Sequence, residues 1–261
     1  MSPHGMRIDR EKSKVKDEDV IKTVDEVFDA FTNYHLYRLR NTLKALKELR
    51  GSISSGKEAK VFWGRGWRGE ELAVKIYLTS SAEFRKSIRE YIIGDPRFPS
   101  IPPKFRDLVY LWARKEFGNL EAMRAAGVSV PEPKAVSGNV LVMQFLGENG
   151  YRAPLLAEAY KELEPELIGS FFQMVVDDLK KMVCRAGLVH GDLSEYNIMI
   201  WDGRTWIIDV AQAVSVAHAK AREFLERDLD NLFRFFSKFV DTSAQEEELR
   251  RYLEGCLEGR A

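Results

Sequence analysis

Apolar side chains near the start of the chain recur every three or four positions. This period predicts amphipathic helices over residues 17–31 and 34–49, because positions that far apart share one helix face. We expect residues 1–50 to form a helical extension that packs on the following domain, with a frayed tail at residues 1–16. The leucines of the second helix are Leu36, Leu39, Leu43, Leu46 and Leu49.

The period then changes to that of strands. Ile53, Ala59–Trp63 and Leu72–Tyr77, separated by Ser-Ser-Gly and a glycine-rich corner, predict an antiparallel β-meander. Residues 133–143 predict a hairpin with a Ser-Gly-Asn turn. We assign residues 51–146 to a small β-rich lobe.

One part of this lobe has no apolar period. Residues 79–106 contain four prolines, and so long a segment without a period predicts a flexible, functional loop. A helix over residues 107–126 follows, with Gly127 as its C-terminal cap.

The second half of the chain is mainly helical. We predict helix over residues 155–186 with a break at Glu164-Pro165, and closing helices over 217–240 and 244–257. Residues 147–261 therefore form a second, helical lobe. The fold class is α+β with two lobes, and a junction between lobes is a favoured place for a ligand.

Composition narrows the class of protein. Lys+Arg and Asp+Glu both number 40, so no global attraction to nucleic acid is expected. We also expect no sequence-specific DNA binding. Only the charge distribution decides whether a local basic face exists. The two cysteines, Cys184 and Cys256, predict no disulfide framework and favour a reducing compartment. Without an apolar signal core or a 20-residue apolar run, we expect a soluble cytoplasmic protein and no membrane partner.

Three polar residues near the end of the chain carry the candidate chemistry. Asn197 follows Asp192 by five residues, and Asp209 follows it by seventeen. Both acids come where apolar strands end, which holds them rigidly. One carboxylate can accept the proton of a substrate hydroxyl while the amide and the second carboxylate bind metal. The spacing therefore predicts a phosphotransferase site.

Residues 51–58 match a Walker A loop at seven positions. The last position is Glu58, where a Ser or Thr would bind magnesium, and the loop follows a helix and precedes a strand. We favour a β-turn in which Gly56 lets backbone approach nucleotide phosphates and Ser54 and Ser55 donate to them. An ordinary hairpin turn is the alternative.

Lys75, in Ala73-Val74-Lys75-Ile76, lies where a strand lysine would neutralise nucleotide phosphates, although it could be an edge-strand lysine. Its carboxylate partner is expected to be Glu116, with Glu121 as the rival. Met143-Gln144-Phe145-Leu146-Gly147 ends a strand and suits a hinge whose backbone groups contact adenine.

Other residues have plainer interpretations. His190 is expected to hold its loop by hydrogen bonds rather than transfer a proton. The histidines show no metal-ligand spacing, so zinc has no support. Aromatic side chains are expected to pack in the core rather than stack on bases; these are Trp63, Trp67, Trp112, Phe233, Phe235 and Phe236.

Together these motifs resemble the RIO family of atypical serine/threonine protein kinases. The residues that carry the resemblance are Ser54–Ala59, Leu188–Asn197 and Ile208–Val214, and it extends from about Thr32 to Phe239. It implies a bilobal protein-kinase-like fold, truncated after the metal-binding Asp. The similarity is to the subfamily without an N-terminal winged helix, in its short archaeal-like form.

The resemblance implies the cofactors and the role of each matching position. Asp192 would be the catalytic base, Asn197 and Asp209 the metal ligands, and Lys75 a catalytic residue paired with Glu116. ATP and Mg²⁺ (or Mn²⁺) are the implied cofactors, and a pre-ribosomal small-subunit particle is the implied partner. The expected ATP-binding residues are Ser54, Ser55, Gly56, Lys57, Val61, Ala73, Lys75, Glu116, Met143, Gln144, Leu146, Met199 and Ile208. Candidates for autophosphorylation are Ser80, Ser81, Ser87 and Ser100.

Departures from ordinary protein kinases leave the substrate open. Gly191 stands where an Arg would bind a phosphorylated activation loop, and Ser194 stands where a Lys would steady the transferring phosphate. With 52 residues after Asp209, the peptide-docking part of a typical kinase is expected to be missing. The alternatives are an aminoglycoside- or choline-kinase-like small-molecule phosphotransferase and a nucleotide-gated assembly factor with little transfer activity.

Overall fold

The structure is a computed structural model and describes residues 28–79, 84 and 88–259. The predicted helix over 17–31 and the predicted tail therefore lie almost wholly outside the described residues. The described helices are α1 Ala30–Asn41, α2 Phe105–Ala125, α3 Leu156–Ala159, α4 Pro165–Cys184, α5 Ala221–Phe236 and α6 Ser243–Leu257.

A five-stranded antiparallel sheet forms the first lobe, with strand order β1-β2-β3-β5-β4. The predicted meander and hairpin are confirmed. Its strands are β1 Glu48–Ser55, β2 Ala59–Arg65, β3 Glu71–Tyr77, β4 Pro133–Ser137 and β5 Val140–Gln144. Because strand side chains alternate between faces, Leu72, Val74 and Ile76 of β3 lie on one face and Ala73 and Lys75 on the other.

The helix predicted over residues 34–49 is wrong in its second half. Helix α1 ends at Asn41, Lys44 adopts a left-handed backbone (φ 53°), and β1 begins at Glu48. Sheet pairing between Leu49 and Gly64 replaces the helical continuation that the leucine period predicted. Leu39 and Leu46 still pack together, in an apolar cluster against the sheet.

Residues between β3 and α2 pack against the second lobe. The described side chains Phe84, Ile88, Tyr91 and Ile92 are buried in the main core. Asp95 accepts a hydrogen bond from the backbone N–H of Ser215, 3.2 Å away, which ties this segment to the second lobe. The flexibility of 79–106 stays a prediction, and its candidate serines Ser80, Ser81 and Ser87 lie outside the described residues.

The second lobe is helical, with three short two-stranded pairings, and the predicted break before Pro165 is confirmed. Its strands are β6 Gly147–Glu148, β7 Tyr151–Arg152, β8 Leu188–Val189, β9 Ile198–Trp201, β10 Arg204–Ile207 and β11 Val214–Ser215. The apolar stripes of α4 and α5 form the core here. Across the described ranges, no helix combines the length and apolar character that crossing a bilayer requires.

One sequence prediction about this lobe is wrong. Cys184 at the end of α4 and Cys256 in α6 form a disulfide that closes a separation of 72 residues. The helical context of each cysteine gave no sign of this pairing, because only the packing of α6 on α4 brings the two together. Leu249 and Leu253 of α6 are buried.

Candidate active site

Asp192, Asn197 and Asp209 are brought together by the β9–β10 hairpin. Ile207 pairs with Ile198, and the N–H of Ile208 donates to the carbonyl of Asn197 at 3.0 Å, so Asn197 lies beside the strand that delivers Asp209. The Asn197 amide Nδ2 donates to the Asp192 carbonyl at 2.7 Å. That bond leaves Oδ1 of Asn197 as the oxygen that can bind a cation.

Lys75 joins the two lobes at the same place. Its Nζ lies 2.9 Å from Oε1 of Glu116 and 2.7 Å from Oδ1 of Asp209. The second oxygen of Glu116 accepts a hydrogen bond from the Tyr77 hydroxyl. Glu116 is therefore the carboxylate partner, and the rival Glu121 is exposed on the outer face of α2. Tyr77 was not foreseen as part of this cluster.

The metal candidates have suitable chemistry. Asp209 has a left-handed backbone (φ 57°), and 53% of its side chain is exposed although its Oδ1 contacts Lys75. With Asn197 it supplies two hard oxygen ligands, and Mg²⁺ is usually held by one or two carboxylates together with phosphate oxygens and water. In the described part of the chain, no group of three His, Cys, Asp or Glu residues forms a self-sufficient metal site.

Neighbouring charges shift the pKa values of the site. Burial would lower the pKa of Lys75, but the carboxylates of Asp209 and Glu116 outweigh burial and raise it. Burial would raise the pKa of Asp209, but the Lys75 ammonium holds it below its usual value. Burial and the charge of Asp209 both raise the pKa of Asp192. A carboxylate with a raised pKa is a better proton acceptor, which suits Asp192 for general base catalysis.

The loop that carries Asp192 is held from beneath by a residue that sequence reasoning missed. Asp228 is fully buried in α5, and its two oxygens accept from the N–H groups of Gly191 and Leu193, both at 2.7 Å. Burial raises the pKa of Asp228 to about 7 although both donors oppose the shift. The sequence signal that could have identified Asp228 was its position inside the apolar stripe of the helix predicted over residues 217–240.

His190 has the holding role that we predicted. Its ring lies with Nε2 3.1 Å from the Ile208 carbonyl and Nδ1 3.3 Å from the Asp192 N–H. Burial lowers the pKa of His190 to about 4, so the ring is neutral at pH 7. A neutral tautomer with Nε2–H satisfies both contacts, which connects the Asp192 loop to the Asp209 strand.

A second missed cluster holds the residues after Asp209 against α2. Lys115, which is 2% exposed, donates to the carbonyls of Ala211 (2.7 Å) and Ala213. Asn119 donates to Val210 and Ala213, and Arg97 also donates to Ala213. Burial lowers the pKa of Lys115 well below its usual value. We call Arg97, Lys115 and Asn119 the α2 clamp.

The expected nucleotide-contacting residues occupy two regions of the cleft. Ser54 and Ser55 end β1, and Gly56 N–H donates to the Ala59 carbonyl at 2.9 Å in a hairpin turn that includes Lys57. A strand follows the turn, so the Walker A alternative is wrong. Six of the other expected residues fall into two apolar clusters. Val61, Ala73 and Met143 pack with Trp63 and Phe145, whereas Leu146, Met199 and Ile208 pack with Ala153.

The predicted hinge has some of its backbone groups already occupied. The Gln144 N–H donates to the Glu132 carbonyl at 2.8 Å, and the Leu146 carbonyl accepts from Ala153 at 2.8 Å. Gly147 has a backbone conformation (φ 148°) that side chains rarely adopt, and an added Cβ would collide with the Tyr151 carbonyl. The chain therefore turns sharply where β5 leaves the first lobe.

Aromatic residues mostly follow the prediction of core packing. Trp63, Trp112, Phe233, Phe235 and Phe236 are buried. Trp67 is the exception, with 47% of its surface exposed in the turn between β2 and β3. The prediction is wrong there because a turn residue has no opposing layer to cover it.

Comparison with known proteins identifies the family. The RIO domain family model matches residues 60–249, which include every catalytic and metal-binding candidate. The chain belongs to the RIO family. The predicted resemblance, the kinase-like α+β fold and the class of atypical serine/threonine kinase are confirmed.

Relatives of this RIO chain are found in archaea and eukaryotes. It is 43% identical to the RIO-type serine/threonine-protein kinase Rio1 of Haloferax volcanii, over 88% of this chain and 77% of that protein. It is 37% identical to the Rio1 protein of Methanocaldococcus jannaschii, over 95% and 81%. The Caenorhabditis elegans kinase RIO1 is 41% identical over 87% of this chain, but the match covers 44% of that protein.

A solved structure shares the fold of this RIO chain. The Rio2 kinase from Chaetomium thermophilum superposes with a TM-score of 0.59 at 24% identity, over 87% of this chain and 70% of that one. The same kinase in its ADP/Mg²⁺-phosphoaspartate complex superposes with a TM-score of 0.56. Both comparisons bear on the fold of the chain.

Proposed function

We propose that this RIO chain binds ATP and Mg²⁺ between its lobes and transfers the γ-phosphoryl group to a serine hydroxyl, including one of its own. The observation that carries the proposal is the Lys75–Glu116–Asp209 ion-pair cluster beside Asp192 and Asn197. It combines a cation for phosphates, oxygen ligands for a metal and a carboxylate of raised pKa.

Each residue of the cluster has a proposed task. Asp192 accepts the proton of the attacking hydroxyl as the bond to the γ-phosphorus forms and the bond from that phosphorus to the β-phosphate oxygen breaks. Lys75 neutralises the nucleotide phosphates. Asn197 and Asp209 hold Mg²⁺, which neutralises charge on the phosphate oxygens. Asp228 and His190 keep the loop in position.

The remaining residues of the cleft would bind the nucleotide. The Ser54–Lys57 turn lies over the phosphates, and adenine lies between the two apolar clusters. Val61, Ala73 and Met143 contact one face of the base, and Leu146, Met199 and Ile208 contact the other. The Gln144 carbonyl and the Leu146 N–H would form hydrogen bonds with the edge of the base. ADP and Mg²⁺ in the Chaetomium Rio2 complex support this proposal.

Transfer of labelled phosphate from ATP tests the catalytic assignment. Asp192→Asn keeps the shape of the side chain and removes the base, so autophosphorylation should fall by about 10²- to 10⁴-fold. Asp202→Asn is the matched control, because Asp202 is an exposed turn residue between β9 and β10. Equal rates in the Asp192 variant and the control would contradict the assignment.

A pre-ribosomal small-subunit particle in the cytoplasm is the proposed partner and place of action. Names of the relatives support a serine/threonine kinase, and the ribosomal role depends on the family resemblance. Pull-down with wild type and the Asp192 variant, followed by identification of bound RNA and protein, tests it. Recovery of no ribosomal RNA or ribosomal protein with either form would refute this role and leave the kinase assignment in place.

Nucleotide-gated assembly is a second candidate that one observation favours. Tyr91 belongs to the segment between β3 and α2. It lies beside Gly191, and its hydroxyl contacts Arg227 at 3.3 Å. Nucleotide in the cleft would then order residues 79–106 and so alter a surface that a partner contacts. A non-hydrolysable ATP analogue should protect residues 79–106 from protease, and identical digestion with and without it would exclude gating.

A further inference from the structure

One face of α1 exposes aromatic and basic side chains together. Tyr34 is 59% exposed and Tyr37 is 64% exposed, opposite the buried Thr32, His35 and Leu39. Arg38 and Arg40 lie on the same exposed half of the helix. Clustered exposed aromatic side chains usually mark an interaction site.

The surface continues beyond the end of α1. Lys44 Nζ lies 5.0 Å from the ring centre of Trp67, so the exposed tryptophan of the β2–β3 turn lies beside the segment that follows the helix. We define the aromatic–basic face as Tyr34, Tyr37, Arg38, Arg40, Lys44 and Trp67. Helix α1 alone has 12 residues, or about 18 Å of length, so the face is long enough to contact several units of an extended polymer.

Positive charge is concentrated in this part of a neutral chain. From Ala30 to Arg65 there are eight Lys or Arg residues and two acids, Glu48 and Glu58. Glu48 pairs with Arg50 at 2.9 Å. Among the residues that the structure describes, no carboxylate forms an ion pair with Arg38, Arg40 or Lys44, so no described acid competes with an anionic partner for these cations.

The face lies on the opposite side of the sheet from the candidate active site. Helix α1 packs on the side formed by Leu72, Val74 and Ile76 through the cluster that includes Leu39. Lys75 points to the other side, toward Glu116 and Asp209. A ligand on the aromatic–basic face would therefore leave the ATP cleft open.

We propose that the aromatic–basic face binds single-stranded RNA. Bases stack on exposed aromatic rings without regard to sequence, while Arg and Lys contact the phosphates between them. An acidic protein segment would use the cations but would give no reason for three exposed aromatic rings among them. The choice of RNA over DNA rests on the proposed function at a pre-ribosomal particle.

Fluorescence anisotropy with a labelled 12-nucleotide single-stranded RNA tests the face in the full chain. Tyr34→Ala/Tyr37→Ala should weaken binding about 5- to 150-fold for each base that loses its stacking partner. Arg38→Gln/Arg40→Gln should lower the slope of log affinity against log salt by about 1.4, since about 0.7 is lost per phosphate contact.

The control is Lys161→Gln/Arg185→Gln, which removes two exposed cations from the second lobe. It should bind RNA as wild type does. Autophosphorylation by the two α1 variants should equal that of wild type, because the face lies away from the cleft. This readout separates failure of the RNA proposal from failure of the kinase proposal.

Three outcomes would overturn the proposal. Equal RNA affinity for the α1 variants and the control would mean that the face does not bind RNA. Competition by polyglutamate as effective as competition by unlabelled RNA would assign the face to an acidic protein. Equal or tighter binding of single-stranded DNA or duplex RNA would overturn the specific choice of single-stranded RNA.

Discussion

Reduction of the Cys184–Cys256 disulfide should destabilise the chain measurably. The bond closes a separation of 72 residues. In the chain-entropy description, a loop of this length restricts the unfolded state by about 4.4 kcal/mol at 25 °C. The perturbation is Cys184→Ser/Cys256→Ser, which removes the bond and keeps similar side-chain size.

The expected shift in melting temperature follows from the length of the chain. For 261 residues the entropy of unfolding is about 550 cal/mol/K, so a loss of 4.4 kcal/mol lowers the melting temperature by about 8 °C. Thermal unfolding followed by circular dichroism measures this difference. Wild type in excess reductant should melt at the temperature of the double variant.

Two controls decide whether the bond is the cause. Cys184→Ser alone should melt with the double variant, because either substitution breaks the same link. Thiol titration of unfolded, unreduced wild type should find no free thiol, since both cysteines are in the disulfide. Two titratable thiols, or a melting shift below 2 °C on reduction, would refute the reasoning.

Three further predictions concern the active site. Asp228→Asn replaces one acceptor oxygen with a donor facing the N–H of Gly191 or Leu193, so kcat for transfer should fall about 10²-fold through misplacement of Asp192; unchanged kcat would contradict this. Lys115→Met removes the donor to Ala211, so the free energy of unfolding measured in urea should fall by about 1–3 kcal/mol. A variant as stable as wild type would show that the Lys115 hydrogen bonds contribute no net stability. The transfer rate should fall as acid protonates Asp192, and because its pKa is raised, the inflection should lie above pH 3.8. A rate that stays flat down to pH 3.8 in a stably folded enzyme would argue against this base.

The disulfide experiment also bears on the compartment in which the protein is found. The sequence prediction of a reducing compartment assumed unpaired cysteines, and the disulfide removes that support. Disulfides are rare in the cytosol of mesophiles but common in intracellular proteins of hyperthermophilic archaea and bacteria. A cytoplasmic location therefore has to be tested directly, by fractionating the native cell.

Residues defined by short spacing were predictable from the sequence. Asp192, Asn197 and Asp209 lie within eighteen positions, and the strand motif around Lys75 required a carboxylate on a later helix, which is Glu116 in the structure. Asp228 was missed because its partners are backbone N–H groups 35 and 37 residues away, which no residue type encodes. An amino-acid pattern reports side chains, whereas this contact depends on how a loop folds.

Tertiary contacts overrode local pattern at three other places. The leucine period carried the predicted helix through Leu43, Leu46 and Leu49, but pairing with β2 converts the last of these to strand. Trp67 and Cys256 were both assigned from residue type and local context. Their surroundings, an uncovered turn and a neighbouring helix, are set by parts of the chain that are distant in sequence.

The α2 clamp has a consequence for how this site can be controlled. Two successive residues of α2 make contacts on different sides of the site. Glu116 forms an ion pair with Lys75, and Lys115, a member of the clamp, donates to the Ala211 carbonyl two residues after Asp209. A rotation of the helix would disturb the contact to Lys75 and the contacts to the residues that follow Asp209 together. Because a single helix carries both contacts, movement of α2 would couple the position of Lys75 to that of the segment after Asp209.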